Sequence, residues 1–280
     1  METVSINGRD VIATTPEGLE AKAPLTVFLN RLAAPGMDTG DLVLPDGVKS
    51  MISRPPCVIL VHQTPPQPVG VKWITANSPA DYGPETSYRI VRIGVPYVLV
   101  LAVFAPDENG NLVLTDRNEC FFRVEPLRSL DDPVLYPGLL NCSKFASQDG
   151  NPLSWICTQH LDRASLATIP DPARRIRTSL HALLRCLWET GFNRSSERHE
   201  GTSWYEVSRN VDERIATVEN WQRATEQNDL VGLDIPWPPT HLTLRQVAAR
   251  IFDNHHAPRR RLETSADLAR VVFNLKGPGS

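Results

Sequence analysis

The sequence predicts an α+β fold in which an antiparallel β-meander packs on one long helix and further helices follow. Strand-like runs fill residues 57–124, and amphipathic helical patterns fill most of the chain after residue 171. The connections between the strands are too short for the helical crossovers that parallel neighbours require. Strands first and helices afterwards are typical of α+β folds. We predict three parts: an N-terminal lead-in over 1–50, a core over 51–200 and a C-terminal helical extension over 201–280.

Length and composition limit the classes of function. The 280 residues are 41% hydrophobic and 22% charged, enough to bury a substantial core. A formal net charge of -3 provides no net attraction to a polyanion, so we expect no nucleic-acid partner. No apolar run approaches the roughly 18–20 residues that a membrane span needs, so we expect no membrane partner. Five cysteines without disulfide-like spacing, and no secretory signal pattern, predict a cytoplasmic location.

The lead-in is weakly patterned. A short helix is predicted over 24–32, followed by a loop over 34–38, and residues 42–45 then lead into the sheet. We expect this stretch to pack on the main domain.

Five runs rich in β-branched and aromatic residues are predicted to be strands. They cover 57–62, 71–75, 87–93, 97–104 and 119–124. Proline pairs and glycines mark the turns between them, and Asn109-Gly110 favours a hairpin because both residues tolerate positive φ. The short spacing predicts that the runs form one antiparallel meander.

The clearest helix is predicted over 172–190. Asp171 can cap it, Pro172 suits its first turn and Gly191 can end it. An apolar stripe recurs at spacings of three and four and should bury against the sheet. Its members are Ile176, Leu180, Leu183, Leu184 and Leu187. Arg174, Arg175, Arg177 and Arg185 lie off the stripe and predict a solvated basic face.

Three more helices are predicted towards the end of the chain. Ser203 and Glu206 match a capping box, and helical periodicity continues from there towards Ala224. A proline-rich break over 235–239 separates this helix from one that starts at Thr243. The last helix follows Thr264.

A loop rich in proline and glycine runs from 135 to 160 and carries two cysteines. Loops of this length are usually functional or disordered. Cys157 is the strongest candidate nucleophile, because it lies in a polar, turn-rich segment just before a helix. Cys57 and Cys120 fall in predicted strands and Cys186 within a predicted buried helix, as expected of structural cysteines. Cys142, in the same loop, is the rival nucleophile.

Other chemistry has weaker support. A zinc site could draw on Cys142, Cys157, His160 and His181, but the close ligand pairs typical of zinc sites are absent. A cysteine hydrolase needs a histidine to accept the thiol proton, and neither histidine lies in a recognisable motif. The histidines at 255–256 and the arginines at 259–261 indicate an exposed loop or, alternatively, a weak anion-binding patch.

The order of elements resembles the ubiquitin-conjugating-enzyme (UBC) superfamily. Its hallmark is His-Pro-Asn, followed by an Asp-Gly turn, Ile-Cys and a long helix. Here residues 136–141, Tyr-Pro-Gly-Leu-Leu-Asn, stand at the hallmark, followed by Asp149-Gly150 and Ile156-Cys157. The closer likeness is to the bacterial branch, prokaryotic family D and the PRTRC protein B, with Leu-Pro at 44–45 and Phe-Asn at 192–193. The hallmark histidine is missing, and residues 143–148 must loop out to bring Asn141 near Cys157.

The resemblance implies that the core over 51–200 is a UBC-like catalytic domain carrying a ubiquitin-like modifier as a thioester on Cys157. Asn141 would donate a hydrogen bond to the oxyanion, and Asp149 or His160 would assist deprotonation of the acceptor. The implied partners are a ubiquitin-like protein, its activating enzyme and a protein target. No cofactor is implied, because the activating partner consumes the ATP. By family analogy alone the context is bacterial antiviral defence.

Two alternatives stay open. The missing histidine is compatible with a non-catalytic UBC-like module that only binds a ubiquitin-like protein. A cysteine hydrolase acting on such conjugates is the other.

Overall fold

A computed structural model describes residues 3–7, 10–14, 20–24, 45–74, 88–144, 152–158, 161–189, 191–193 and 203–256. Within these ranges the protein is α+β, with a large antiparallel sheet and a few helices, as predicted. The strands are β1 Thr3–Asn7, β2 Asp10–Thr14, β3 Glu20–Pro24, β4 Val48–Arg54, β5 Cys57–Thr64, β6 Gln67–Ile74, β7 Tyr88–Val95, β8 Tyr97–Pro106, β9 Leu112–Leu114, β10 Glu119–Arg123, β11 Pro133–Leu135, β12 Cys142–Lys144, β13 Ser154–Ile156, β14 Gly191–Asn193 and β15 Pro239–Thr243. The helices are α1 Arg163–Ala167, α2 Pro172–Glu189, α3 Trp204–Ser208, α4 Val218–Gln227 and α5 Leu244–His256.

The main sheet is antiparallel throughout. Its strand order is β12-β13-β10-β8-β5-β4, with β9 on β8 and with β11 joining β10 to β15. β5 and β8 lie in the middle and are buried along almost their whole length, so both read as continuous apolar runs. Leu101 of β8 has Val61 of β5 on one side and Glu119 of β10 on the other. The centre of the core therefore lies on β5 and β8.

The prediction of a single meander through all five runs is wrong. β6 and β7 form a separate three-stranded sheet with β14, which pairs parallel to β6, and β5 pairs directly with β8. The connections on either side of this hairpin contain the prolines at 65–66 and Pro96, which have no backbone N–H to donate to a ladder. The chain thus leaves the main sheet after β5 and returns at β8.

Two further findings concern the N-terminal part. β4 forms an additional strand antiparallel to β5, which the sequence patterns did not indicate. Residue 24 ends β3, and the rest of the helix predicted over 24–32 lies outside the described residues.

The long helix α2 is confirmed, ending at Glu189. The carboxylate of Asp171 accepts the N–H of Arg174 at 2.6 Å and so caps its first turn. Leu180, Leu183 and Leu187 are fully buried, and the helix contacts β6, β8 and β9. The predicted stripe therefore packs where expected.

One member of the predicted basic face is placed differently. Arg175 is buried, because its guanidinium donates to the carbonyl oxygens of Leu112 at 3.0 Å and Ile169 at 2.7 Å. Arg174, Arg177 and Arg185 are exposed as predicted.

The helix predicted from Ser203 to Ala224 is broken into α3, a single 3-10 turn at Glu213–Ile215, and α4. The hydroxyl of Ser203 makes no capping hydrogen bond, so the predicted capping box does not form. Asp212 and Thr217 instead cap the 3-10 turn and α4 by accepting the N–H groups of Arg214 and Asn220. Each new cap starts a new element and interrupts the continuous helix.

The helix predicted from Thr243 is confirmed as α5, and it begins with a capping box. The hydroxyl of Thr243 accepts the N–H of Gln246, and the side chain of Gln246 accepts the N–H of Thr243. The histidines at 255–256, expected in an exposed loop, instead form the end of α5. The arginines at 259–261 and the helix predicted after Thr264 lie outside the described residues. None of the helices in the described ranges has the length and apolar character needed to span a bilayer.

Candidate functional site

The hairpin of β12 and β13 places Asn141 and Cys157 side by side. Cys142 pairs with Ile156 and Lys144 with Ser154, so β12 and β13 form an antiparallel hairpin. At the open end of this hairpin, the N–H of Cys157 donates to the carbonyl oxygen of Asn141 at 2.8 Å. Two residues far apart in sequence are thus neighbours. Ser143 and Lys144, which were expected to loop out, instead lie in β12 and pair with β13. Residues 145–151 lie outside the described residues, so the loop expected there stays a prediction.

The hairpin is fastened to the edge of the main sheet. The N–H of Ile156 donates to the carbonyl oxygen of Asn118 at 2.8 Å, and the indole N–H of Trp155 donates to that of Asp116 at 2.9 Å. Trp155 lies opposite Glu119 of β10. Ser154 and Ile156 are fully buried, which fixes the register because a slip by one residue would expose them.

The five cysteines, all thiols, differ in exposure. Cys157 is partly exposed, whereas Cys57, Cys120, Cys142 and Cys186 are buried. Burial raises the pKa of Cys57, and it raises that of Cys186 to about 11. These thiols therefore resist ionisation as well as attack, since the thiolate is the reactive form.

Cys142, the predicted rival nucleophile, is completely buried. Burial raises its pKa well above the usual range, and a hydrogen bond with the side chain of Cys120 adds to the effect. An incoming electrophile would reach this thiol only if the hairpin opened.

The side chain of Asn141 holds the hairpin against α2. It is buried, and its amide donates to the carbonyl oxygen of Leu187 at 2.7 Å. Leu187 lies in the last turn of α2, where carbonyl groups lack partners within the helix. Asn141 therefore supplies a hydrogen bond that this helix end needs, and at least one of its two amide N–H groups is committed there.

The same helix end contacts Cys157. The thiol of Cys186 lies 3.5 Å from the carbonyl oxygen of Cys157 and donates to it. The main chain of the partly exposed Cys157 is thus held by Asn141 through its N–H and by the last turns of α2 through its carbonyl oxygen.

A buried carboxyl group lies beside this site. Glu119 is almost wholly buried, and its Oε2 has no hydrogen-bond partner among the described residues. Burial raises its pKa to about 8, although nearby Arg117 and the N–H of Ser154 oppose the shift. Sequence reasoning missed this residue. A carboxyl group at the start of β10, directly before the apolar run Cys120 to Phe122, was the available signal.

Comparison of the chain with protein-family models, curated proteins and solved structures finds no match. Any proposal for the function therefore has to be argued from the geometry and chemistry of this site.

Two predicted site residues, Asp149 and His160, lie outside the described residues, so their suggested role in deprotonating the acceptor stays a prediction. Among the residues that the structure describes, no group of three His, Cys, Asp or Glu side chains could hold a metal ion. The zinc alternative would need His160, which is outside them.

Proposed function

We propose that this protein is a bacterial ubiquitin-conjugating-enzyme-like acyl carrier in which Cys157 holds a ubiquitin-like modifier as a thioester. The observation that carries the proposal is the placement of the partly exposed Cys157 directly beside Asn141, in the segment that leads through the short helix α1 to α2. This sequence resembles the UBC hallmark in three parts: the asparagine, the cysteine and the helix that follows. The hairpin supports the proposal because it brings Asn141 and Cys157 together, although they lie farther apart in sequence than the asparagine and cysteine of the UBC hallmark.

The chemistry follows from the properties of a thiol. The Cys157 thiolate attacks the thioester carbonyl on the activating enzyme, and the thiolate of that enzyme leaves. An amine or hydroxyl of the protein target then attacks the new thioester, and the Cys157 thiolate leaves in turn. A thiol suits both steps, since it is a good nucleophile once ionised and a good leaving group. The proposal needs no cofactor bound to this chain.

The contrast among the thiols supports Cys157 over its neighbours. Cys142 and Cys186 are within reach of the same hairpin but are buried, and both have raised pKa values. Cys157 is the thiol that a folded partner can approach without any rearrangement of the sheet edge.

One observation favours a second candidate function, a non-catalytic module that binds a ubiquitin-like protein. The side chain of Asn141 is buried and donates to Leu187, which is a structural use of the amide. In that case the hairpin and α2 form a rigid surface, and Cys157 takes no acyl group.

The test is transfer of a modifier from a preformed thioester. A ubiquitin-like protein from the same organism, prepared as a C-terminal thioester or charged by its activating enzyme with ATP, is mixed with the chain. The adduct should be cleaved by thiol reductant in the wild type. In Cys157→Ser it should become a reductant-resistant oxyester or disappear, because a hydroxyl is a far poorer nucleophile.

Cys142→Ser is the matched control, since it changes the neighbouring thiol and should leave the adduct intact. A reductant-sensitive adduct that persists in Cys157→Ser would refute the assignment. Tight binding of the modifier without any adduct would favour the binding module.

A further inference from the structure

The last turns of α2 bring a second thiol to Cys157. The sulfur of Cys186 lies 3.5 Å from the carbonyl oxygen of Cys157, although the two residues belong to different elements. Cys157 is partly exposed and Cys186 is only 7% exposed. An accessible thiol therefore lies next to a concealed one.

The geometry suits a covalent link. A disulfide needs α-carbons roughly 4.4–6.8 Å apart and side chains that can face each other. The contact between the Cys186 sulfur and the main chain of Cys157 makes the two residues direct neighbours. Forming the bond then requires that both side chains rotate to face each other. Electrostatics agree, because the neighbouring Cys157 thiol, after burial, is the second cause of the raised pKa of Cys186.

Cys142 is a less suitable partner. Its thiol donates towards the side-chain oxygen of Asn141 at 3.9 Å and also hydrogen-bonds with Cys120. Of the two neighbouring thiols, Cys186 is the one in contact with the main chain of Cys157.

We propose that Cys157 and Cys186 form a reversible intramolecular disulfide under oxidation by hydrogen peroxide, with Cys157 as the thiol that is oxidised first and Cys186 as the resolving thiol. This inference depends only on the two thiols and needs no ubiquitin-like partner.

Two balanced steps produce the bond. The Cys157 thiolate attacks one oxygen of hydrogen peroxide, giving sulfenic acid and hydroxide, so sulfur loses two electrons and peroxide gains them. The Cys186 sulfur then attacks the Cys157 sulfur, a sulfur–sulfur bond forms, and the hydroxyl leaves as water with the thiol proton. A dithiol reductant reverses the result by thiol–disulfide exchange. The link protects Cys157 from irreversible oxidation to sulfinic and sulfonic acid.

The disulfide would join the end of β13 to the last turns of α2. Under the proposed conjugating function, on which this consequence rests, it would also block thioester formation until reductant restores the thiol.

The experiment treats the purified full chain with hydrogen peroxide in the presence of dimedone, which traps sulfenic acid, and maps the products by mass spectrometry. In the wild type we expect loss of two hydrogen atoms, a linked peptide pair containing Cys157 and Cys186, and full reversal by dithiothreitol. In Cys186→Ser, dimedone adducts and over-oxidised forms of Cys157 should increase several-fold. Cys142→Ser is the matched control and should behave as the wild type.

Cys186→Ala serves as a second variant if serine at this buried position prevents folding, which circular dichroism would show. Equal dimedone labelling of Cys157 in the wild type and in a folded Cys186 variant would overturn the proposal, as would a link to Cys142. Because no modifier is present, these outcomes are independent of the proposed conjugating function.

Discussion

The centre and the edge of the main sheet differ in what their side chains do. β5 and β8 are hydrogen-bonded on both sides and bury almost every side chain among other apolar groups. β12 and β13, at the edge, carry thiols and polar side chains and depend on Asn118 and on the last turn of α2 for hydrogen bonds. Buried apolar side chains at the centre of the sheet therefore supply most of its stability. The edge contributes less and can hold a partly exposed thiol beside buried thiols.

The largest expected effect is a loss of stability at the centre. Leu101→Ala removes a fully buried side chain from β8 and should lower the free energy of unfolding by about 2–5 kcal/mol, through lost burial and the cavity left behind. Urea denaturation monitored by fluorescence gives the free energy of unfolding. Cys157→Ser at the edge should change the free energy of unfolding by no more than about 0.5 kcal/mol. Equal losses at the two positions would remove the distinction between centre and edge.

The next effect is a dependence of stability on pH that arises from Glu119, on the strand β10 between β8 and β13. The pKa of Glu119 is raised to about 8 from 4.5, so the folded state retains a proton that the unfolded state loses. The contribution of protonated Glu119 to the free energy of unfolding is complete below about pH 4.5 and is lost as the pH rises towards 8. Glutamine has no proton to lose, so the stability of Glu119→Gln should decline less as the pH rises. Near pH 8 the free energy of unfolding of this variant should exceed that of the wild type by on the order of a few kcal/mol.

Unfolding free energies of the wild type and of Glu119→Gln across pH 4–9 give the measurement. The difference between the two curves isolates Glu119, because every other titrating group is common to both. A difference that does not change with pH would show that this carboxyl is ionised throughout.

A smaller effect is expected at Asn141. Asn141→Ala leaves the carbonyl of Leu187 without its side-chain donor and should cost about 1–3 kcal/mol in unfolding free energy. If the amide also stabilises the oxyanion, discharge of a modifier from Cys157 should slow by about 100-fold or more while loading persists. Asn141→Asp is the matched variant, because it keeps the shape and removes the N–H donors. A stability loss with an unchanged discharge rate would restrict Asn141 to positioning the hairpin.

The sequence predicted those parts of the fold that local pattern controls. Asp171, Pro172 and the leucine stripe determined α2, and the apolar runs of β5 and β8 were found because each is continuous. The exposure of Cys157 followed from its position in a polar loop. These features depend on residues within a few positions of one another.

The remainder depends on contacts between distant segments. The departure of β6 and β7 from the main sheet is decided by which strands pair, and periodicity carries no information on pairing. Arg175 is buried because carbonyl oxygens of Leu112 and Ile169 meet its guanidinium. Likewise, Asn141 meets Leu187, and Cys157 meets Cys186, only after α2 has packed on the sheet.

We expect the edge of the main sheet to expose one reactive thiol, Cys157, among buried ones. Brief treatment of the native protein with a small maleimide, followed by peptide mass mapping, tests it most directly. Cys157 should be modified first, with Cys142 and Cys186 modified only after denaturation, because burial blocks access and raises their pKa values. Modification of Cys142 or Cys186 at the same rate as Cys157 in the folded protein would contradict the account.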